Sequence, residues 1–241
     1  FAAGLASAAV ARGAKIFESA AVTRFERIGG DRYRLSTPRG TIEAAQVLVA
    51  TGASRSGPLG WFRRRIVPIG SFIVVTEPLD VALLNRIAPR RRSYVTTRHV
   101  GNYFRTTADH RLLFGGRTRF TMSNARSDEA CGQLLRAAMQ KVFPALKDTR
   151  IDYCWGGLVD LTVDRLPRAG QKDGLYYSMG YSGHGVQMSV YMGRVMADVM
   201  AGRDQDNIWK GAAWNAIPGH FGDPWFLPFV GAYYRLQDYL H

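Results

Sequence analysis

Three glycines, Gly180, Gly183 and Gly185, stand in the run GYSGHGVQMS with Ser182 and His184 between them. A short stretch that reads as a strand, Leu175–Ser178, leads into them. A periodic segment that reads as a helix to about Ala201 follows, with Gly202 as its stop. Such a turn places backbone N–H groups without intrahelical partners at the positive end of a helix dipole. That arrangement suits an electron-rich or anionic group. The same spacing also describes an ordinary helix with a glycine-rich entry, because short glycine motifs recur by chance. Within the helix, Gly185, Ser189, Gly193, Ala197 and Ala201 recur every four residues. This row of small side chains is expected to let the helix lie close against another surface, with Val186, Val190 and Met200 at its flanks. A second candidate is Thr51-Gly52-Ala53. It ends the apolar run Gln46–Ala50, which reads as a parallel strand covered on both faces, and ligands bind at such strand ends in open α/β sheets.

The elements around these residues follow from pattern. Ala2–Arg12 reads as a helix and Ala14–Glu18 as a short strand. Val22–Ile28, Tyr33–Ser36 and Thr41–Ala44 form an antiparallel meander joined by Gly29-Gly30-Asp31 and Pro38-Arg39-Gly40. After a loop at Ser54–Arg65, a long β-branched strand spans Arg65–Glu77, with Pro68 and Gly70 suggesting a bulge. Val81–Ile87 is a short helix, and Ser93–Thr97, Asn102–Thr107 and Leu112–Gly116 are antiparallel strands. Ser127–Phe143 is an amphipathic helix capped by Ser127. Ile151–Val159 is a strand, Leu161–Ala169 a loop, and Ala232–Leu240 a last helix behind an aperiodic aromatic tail. The order predicts an α/β (α+β) chain in which an antiparallel-sheet domain interrupts a Rossmann-like one. The expected parts are 1–60 and 151–206 on the cofactor side, 61–150 on the substrate side, and a tail at 207–241.

Bulk properties narrow the functional classes. The chain has 241 residues, 46% hydrophobic and 21% charged, enough for one large or two small domains. A net charge of +13 would suit an anionic partner, and a basic non-catalytic module binding nucleic acid or another polyanion is the alternative it supports. The arginines are scattered, however, without a basic helix or zinc-finger spacing, so no nucleic acid is expected. Two cysteines, Cys131 and Cys154, point to a reducing, cytoplasmic setting and to small buried packers rather than a disulfide framework. No apolar run reaches membrane-spanning length, no secretory leader is expected, and the five histidines lack metal-ligand patterning. The start, FAAGLASAAVAR, reads as the middle of a helix, so a fragment of a longer chain is expected.

Five ordered blocks carry a resemblance: AVTRFER with a hairpin and QVLVATGA; PIGSFIVVTEPL; NYFRTT with LLFGGRT; WGGLVDLTVDRLPRAG; and GYSGHGVQMSVYMGRVMADVMAG. Together they resemble the C-terminal part of FAD-dependent oxidoreductases of the D-amino-acid oxidase superfamily, nearest the γ-glutamylputrescine oxidase and glycine oxidase branch. The N-terminal GxGxxG unit of that family is absent from this chain. The resemblance implies oxidation of a small-molecule amine or amino acid, as in putrescine catabolism, with electrons passing to oxygen or a carrier. It implies that the Val22 backbone holds the adenine, that Thr51 and Gly52 lie beside the ADP moiety, and that amides of Gly180, Tyr181, Ser182, Gly183, His184, Gly185 and Val186 face the flavin. Gln187 stands where sarcosine-oxidase relatives carry a lysine. Gly157 stands where some relatives tether the flavin through cysteine, so FAD is expected to bind non-covalently. Tyr103, Arg105 and Trp155, with His184, are the implied pocket residues. Each also has a plainer role: core aromatics, a solvated strand arginine, and a turn histidine.

Overall fold

The computed structural model describes residues 1–30, 32–54, 57–116, 120, 121, 123–203 and 207–240. Helix α1, Ala2–Val10, buries none of its side chains. The meander follows as β1 (Arg24–Arg27), β2 (Tyr33–Thr37) and β3 (Gly40–Ala44), all antiparallel. Phe25 stacks on Tyr33 across it, with ring centroids 5.2 Å apart. Asp31 of its first turn, and Arg55 and Ser56 of the next loop, lie outside the described residues. Residues 14–18 form no strand; Ile16 and Phe17 are exposed and no neighbouring strand pairs with them.

Strand β4 is short, Leu48–Val49, and α2 (Gly60–Arg63) turns the chain into β5 (Val67–Thr76). Then come α3 (Val81–Ile87), β6 (Tyr94–Val95), β7 (Asn102–Thr106), β8 (Leu112–Gly116) and α4 (Ala125–Val142), followed by β9 (Ile151–Leu161), β10 (Arg168–Lys172) and β11 (Leu175–Met179), and finally α5 (Gly185–Met200) and α6 (Leu227–Leu240). Asp80 caps α3, accepting the Ala82 and Leu83 amides. At α4 the cap is Asn124 rather than Ser127. Asn124 and Ser127 exchange side chain-to-backbone bonds in a capping box, so Ser127 becomes the third helical residue.

Five strands form one antiparallel sheet in the order β6-β7-β8-β5-β9. Its two faces have different duties, because side chains alternate along a strand. Phe72, Val74, Leu112 and Phe114 point to α4, where they enclose Cys131, Leu135, Met139 and Leu146 in the largest core cluster. Ser71, Ile73, Tyr103 and Trp155 point the other way, into a cavity. The β5–β9 ladder runs unbroken from Val67 to Val75, and its irregularity falls at Val75/Thr76, not at Pro68 or Gly70. Gly70 serves a different need: its N–H donates to the Thr121 carbonyl at 2.7 Å, where a side-chain carbon would collide. By strand pairing, residues 151–161 go with β5 rather than with β11.

A smaller sheet has the order β10-β11-β4, with β11 parallel to β4 and antiparallel to β10. Asp173-Gly174, both at positive φ, form the two-residue hairpin turn joining β10 to β11. Val49 packs with Phe62, Ile66 and Met179, whereas Leu48 on the opposite face is exposed; the expected cover on both faces is not provided by the described residues. Helix α5 docks on this sheet through Met192, Val195 and Met196, which cluster with Ala169. The row of small residues points elsewhere. Ser189, Gly193, Ala197 and Ala201 are exposed, and a side-chain carbon at Gly193 would meet nothing within 4 Å. The tail is irregular but anchored. Arg65 Nε donates to the Trp214 carbonyl at 2.7 Å, and the buried His220 Nε2 lies 2.7 Å from the Ile66 carbonyl.

Replacing the fully buried Leu135 with alanine should cost about 2–5 kcal/mol. Asn124→Ala, which only opens the capping box, should cost about 1 kcal/mol. Chemical denaturation of both variants checks this, and equal losses would contradict the placement of the core under α4.

Candidate active site and cofactor cleft

Asp160 organises the place where the two sheets meet. It lies near the end of β9, one residue before that strand ends. Its Oδ2 accepts the Gly180 N–H at 2.6 Å, and its main-chain carbonyl accepts the Ser182 N–H at 3.0 Å. The same carboxylate oxygen would lie 3.5 Å from a side-chain carbon at Gly52. The end of β4 and the turn after β11 are therefore held against a single side chain. Burial pushes the Asp160 carboxyl above its ordinary value, and the amides of Gly180, Asp160 and Tyr181 oppose that rise only in part.

The turn itself is a left-handed path. Gly180, Ser182 and Gly183 have φ of 78°, 53° and 98°. Ser182 tolerates this because its buried hydroxyl bonds within the turn, donating to the Gly180 carbonyl at 3.3 Å and accepting the Thr162 N–H at 3.2 Å. Gly180 also packs against the Thr162 methyl so closely that a side-chain carbon would come within 2.6 Å of it. Tyr181 turns its ring under the loop, against the α5 cluster, and its hydroxyl meets Ser178 Oγ at 2.7 Å.

The amides divide into two sets. Those of Gly180 and Ser182 go to Asp160, Tyr181 also bears on that carboxylate, and His184 donates to the Tyr181 carbonyl at 2.9 Å. Four of the seven expected donors are thus spent on the protein itself. Among the described residues, no acceptor bonds the amides of Gly183, Gly185, Val186 or Gln187. They form the N-terminal edge of α5, with His184 as its first flanking residue.

Next to this edge lies a cavity of about 540 Å³. Ser182, Gly183 and His184 form one side of it, and Ser71, Ile73, Tyr103 and Trp155 form its sheet wall. Tyr103 lies flat over Gly115, where any side chain would overlap its ring, and its hydroxyl is 3.0 Å from Ser71 Oγ. Gly157 is also in the wall, with open space beside it. Arg105 is not: it is exposed on β7 beyond the cavity, because the strand carries it past the rim. Neither cysteine reaches the cavity. Cys131 is buried under the sheet, and Cys154, although exposed, sits on the α4 face with Sγ 3.4 Å from the Asp128 carbonyl.

A second, mainly apolar cavity of about 320 Å³ is lined by Val22, Thr51, Val49 and Phe25. The N–H and C=O of Val22 make no hydrogen bond among the described residues. Gly57 keeps that carbonyl accessible, since a side-chain carbon there would sit 2.8 Å from it. Thr51 belongs to this cavity, and its neighbour Gly52 stands against the Asp160 carboxylate. The pair of spaces, one with an open peptide edge in an apolar setting and one with open helix-start amides, fits the two ends of a flavin dinucleotide.

Sequence spacing passed over Asp160 altogether. The available signal was a lone carboxylate in the apolar run GLVDL. Ser71 and Thr162 carried no such signal, since only the register of β5 and the turn after β9 bring them to the site.

A parallel strand pair ending in a glycine turn, joined to an antiparallel sheet that walls a cavity, defines the class as a mixed α/β fold of the kind that holds a nucleotide cofactor. Residues 1–199 match the family described as "DAO: FAD dependent oxidoreductase". The chain belongs to this family of FAD-dependent oxidoreductases. It is 32% identical to the gamma-glutamylputrescine oxidoreductase of Escherichia coli, over 98% of this chain and 55% of that protein. It is 33% identical to a probable oxidoreductase, OrdL, of Haemophilus influenzae, over 84% of this chain and 46% of that protein. In fold it is similar to glycine oxidase from Geobacillus kaustophilus, with a TM-score of 0.65 at 23% identity, covering 91% of this chain and 56% of that one. The chain spans about half the length of the curated relatives it matches.

The raised Asp160 carboxyl has a pH consequence. A carboxyl more basic in the folded state stabilises most below its unfolded value, about 3.9, and that contribution is lost as pH rises through the folded value. Asp160→Asn should flatten this part of the stability curve. Urea midpoints for both proteins from pH 4 upward check it; parallel curves would contradict the burial of an ionisable group there.

Proposed function

We propose that the whole protein binds FAD non-covalently and oxidises an amine or amino acid. The observation that carries this reading is the run of open amides at Gly183, Gly185, Val186 and Gln187, which begins at the Ser182–His184 side of a cavity walled by Tyr103 and Trp155. Val22 and Thr51 would hold the adenosine end, and the α5 amides the electron-rich edge of the ring system. Non-covalent binding is supported by Gly157 in the wall and by both cysteines lying on the other side of the sheet. The cofactor side is proposed as 1–60 with 162–206, and the substrate side as 61–161, following strand pairing.

The chemistry FAD supplies when bound is acceptance of a hydride from the substrate carbon next to nitrogen. The residues of this chain do the rest. Helix-start amides favour negative charge at the edge they contact. Tyr103 and Trp155 exclude water and favour the neutral amine, because an apolar setting disfavours its charged form. The Tyr103 hydroxyl, held by Ser71, orients that ring over Gly115. His184 offers the cavity a polar side chain at its mouth. Arg105, outside the cavity, has no part in this proposal. The imine left after oxidation is hydrolysed by water, and oxygen or an electron carrier takes the electrons onward.

The first amine to test is γ-glutamylputrescine, named for the E. coli relative. Binding of a polyanion is disfavoured by the scatter of the arginines along the chain, without a basic helix. No described helix is long and apolar enough to cross a membrane.

Purified full-length protein should absorb near about 450 nm and lose that band on addition of the amine without oxygen. Gly185→Val is the sharper test. A side-chain carbon there meets only Tyr181, at 3.7 Å, so the chain itself tolerates the change. Flavin occupancy should nevertheless fall several-fold while the melting temperature of the flavin-free form holds, since the new side chain enters the amide edge. Tyr103→Ala should keep the flavin and slow its reduction by substrate about tenfold or more. Normal occupancy in the first variant would move the cofactor away from α5.

A further inference from the structure

The family match ends at residue 199, yet the chain beyond it reaches back to the larger cavity. Asp238 on α6 accepts two successive backbone N–H groups. His99 donates to Oδ1 and Val100 to Oδ2, each at 2.8 Å. These bonds, Val100 first, hold the Asp238 carboxyl below its ordinary value. One carboxylate oxygen per amide fixes the orientation of two neighbouring peptides, and charge-assisted bonds of this kind are the stronger ones. The contact is reinforced beside it. The His99 ring stacks on Tyr234, four residues earlier on α6, at 5.6 Å between centroids, and Phe120 stacks on the same tyrosine at 5.9 Å.

The segment so held is a closed loop between β6 and β7. Thr96 N–H donates to the Asn102 carbonyl at 2.9 Å, and Asn102 N–H donates to Thr96 Oγ1 at 2.8 Å. Gly101 lies tight against the Arg98 carbonyl and the Thr96 hydroxyl, where a side-chain carbon would come within 2.8 Å of both. Arg98, His99, Gly101 and Asn102 border the cavity beside Tyr103. The loop is thus rigid in itself, and its placement over the cavity is set from outside by α6.

We propose that Asp238 is a positioning residue for the substrate: by clasping the His99 and Val100 amides it fixes the 98–101 wall of the cavity that seats the amine. This rests on the substrate-site reading of that cavity. A mere anchor for a terminal helix would change stability and leave the kinetic constants alone. The two roles are therefore separable.

The test compares full-length flavoprotein with Asp238→Ala and Asp238→Asn, by amide hydrogen exchange and by steady-state kinetics with γ-glutamylputrescine as the probe. Alanine should speed exchange at His99 and Val100 about tenfold and raise KM about tenfold, with kcat within about twofold and flavin content unchanged. Asparagine keeps one acceptor oxygen and should fall between alanine and wild type, and it serves where the alanine variant does not fold. Unchanged exchange across 98–101, or faster exchange with unchanged KM, overturns the proposal. Wild-type turnover of the probe is the separate control: a wild-type protein without it overturns γ-glutamylputrescine as the substrate, and the KM comparison is then made with whichever amine or amino acid bleaches the flavin; a flavoprotein that none of them reduces overturns amine oxidation itself, whatever the exchange comparison gives.

Discussion

A single carboxylate near the end of one long strand holds this architecture together. Asp160 belongs by hydrogen bonding to the five-stranded sheet, yet its side chain serves the turn after β11 and stands against Gly52 at the end of β4. Removing water from a carboxylate is costly, and here the compensation comes from backbone amides rather than from a cation. The geometry then follows. With Gly180 and Ser182 committed to Asp160 and His184 to the Tyr181 carbonyl, the amides left open are those of Gly183 and of Gly185 to Gln187. The turn is narrower in function than a run of seven donors, because half of it exists to aim the other half.

Alternation along β5 and β9 does the complementary work. One parity of residues builds the core under α4, and the other faces the cavity, so stability and chemistry are written on opposite sides of the same strands. Gly115 and Gly157 belong to the cavity side for opposite reasons. The first is filled by the Tyr103 ring and the second stays open.

Much of this was legible in the residues themselves. Regular alternation and turn chemistry gave the meander, β5, β7, β8 and α3 within a residue or two, and the glycine turn into α5 was visible at once. The failures have particular causes. Strand β10 has no β-branched residue, and its only local signal is the Asp173-Gly174 turn that closes the hairpin with β11. The cap of α4 was misplaced by three residues because Asn124 and Ser127 are both good caps, and only their reciprocal bonding distinguishes them. Residues 14–18 have strand-like composition but no strand partner among the described residues. Arg105 shares a face with Tyr103, and only distance along the strand separates a wall residue from a rim residue. Asp160 and Asp238 were missed for a common reason: each acts on backbone groups far away in sequence, which no local pattern encodes.

The parity of β9 also makes that strand a reading frame. Cys154 and Trp155 are neighbours, one facing α4 and one facing the cavity. Loss or gain of one residue upstream in β9 would exchange them, turning a thiol toward the cavity and an indole into the helix contact. The exposed tip at Ala108 and Asp109 between β7 and β8 carries no such penalty, since length added there is absorbed at the surface. Sequence change in this protein should therefore be tolerated as substitution within β9 and as insertion between β7 and β8. A tethering thiol would be one frameshift of a strand away.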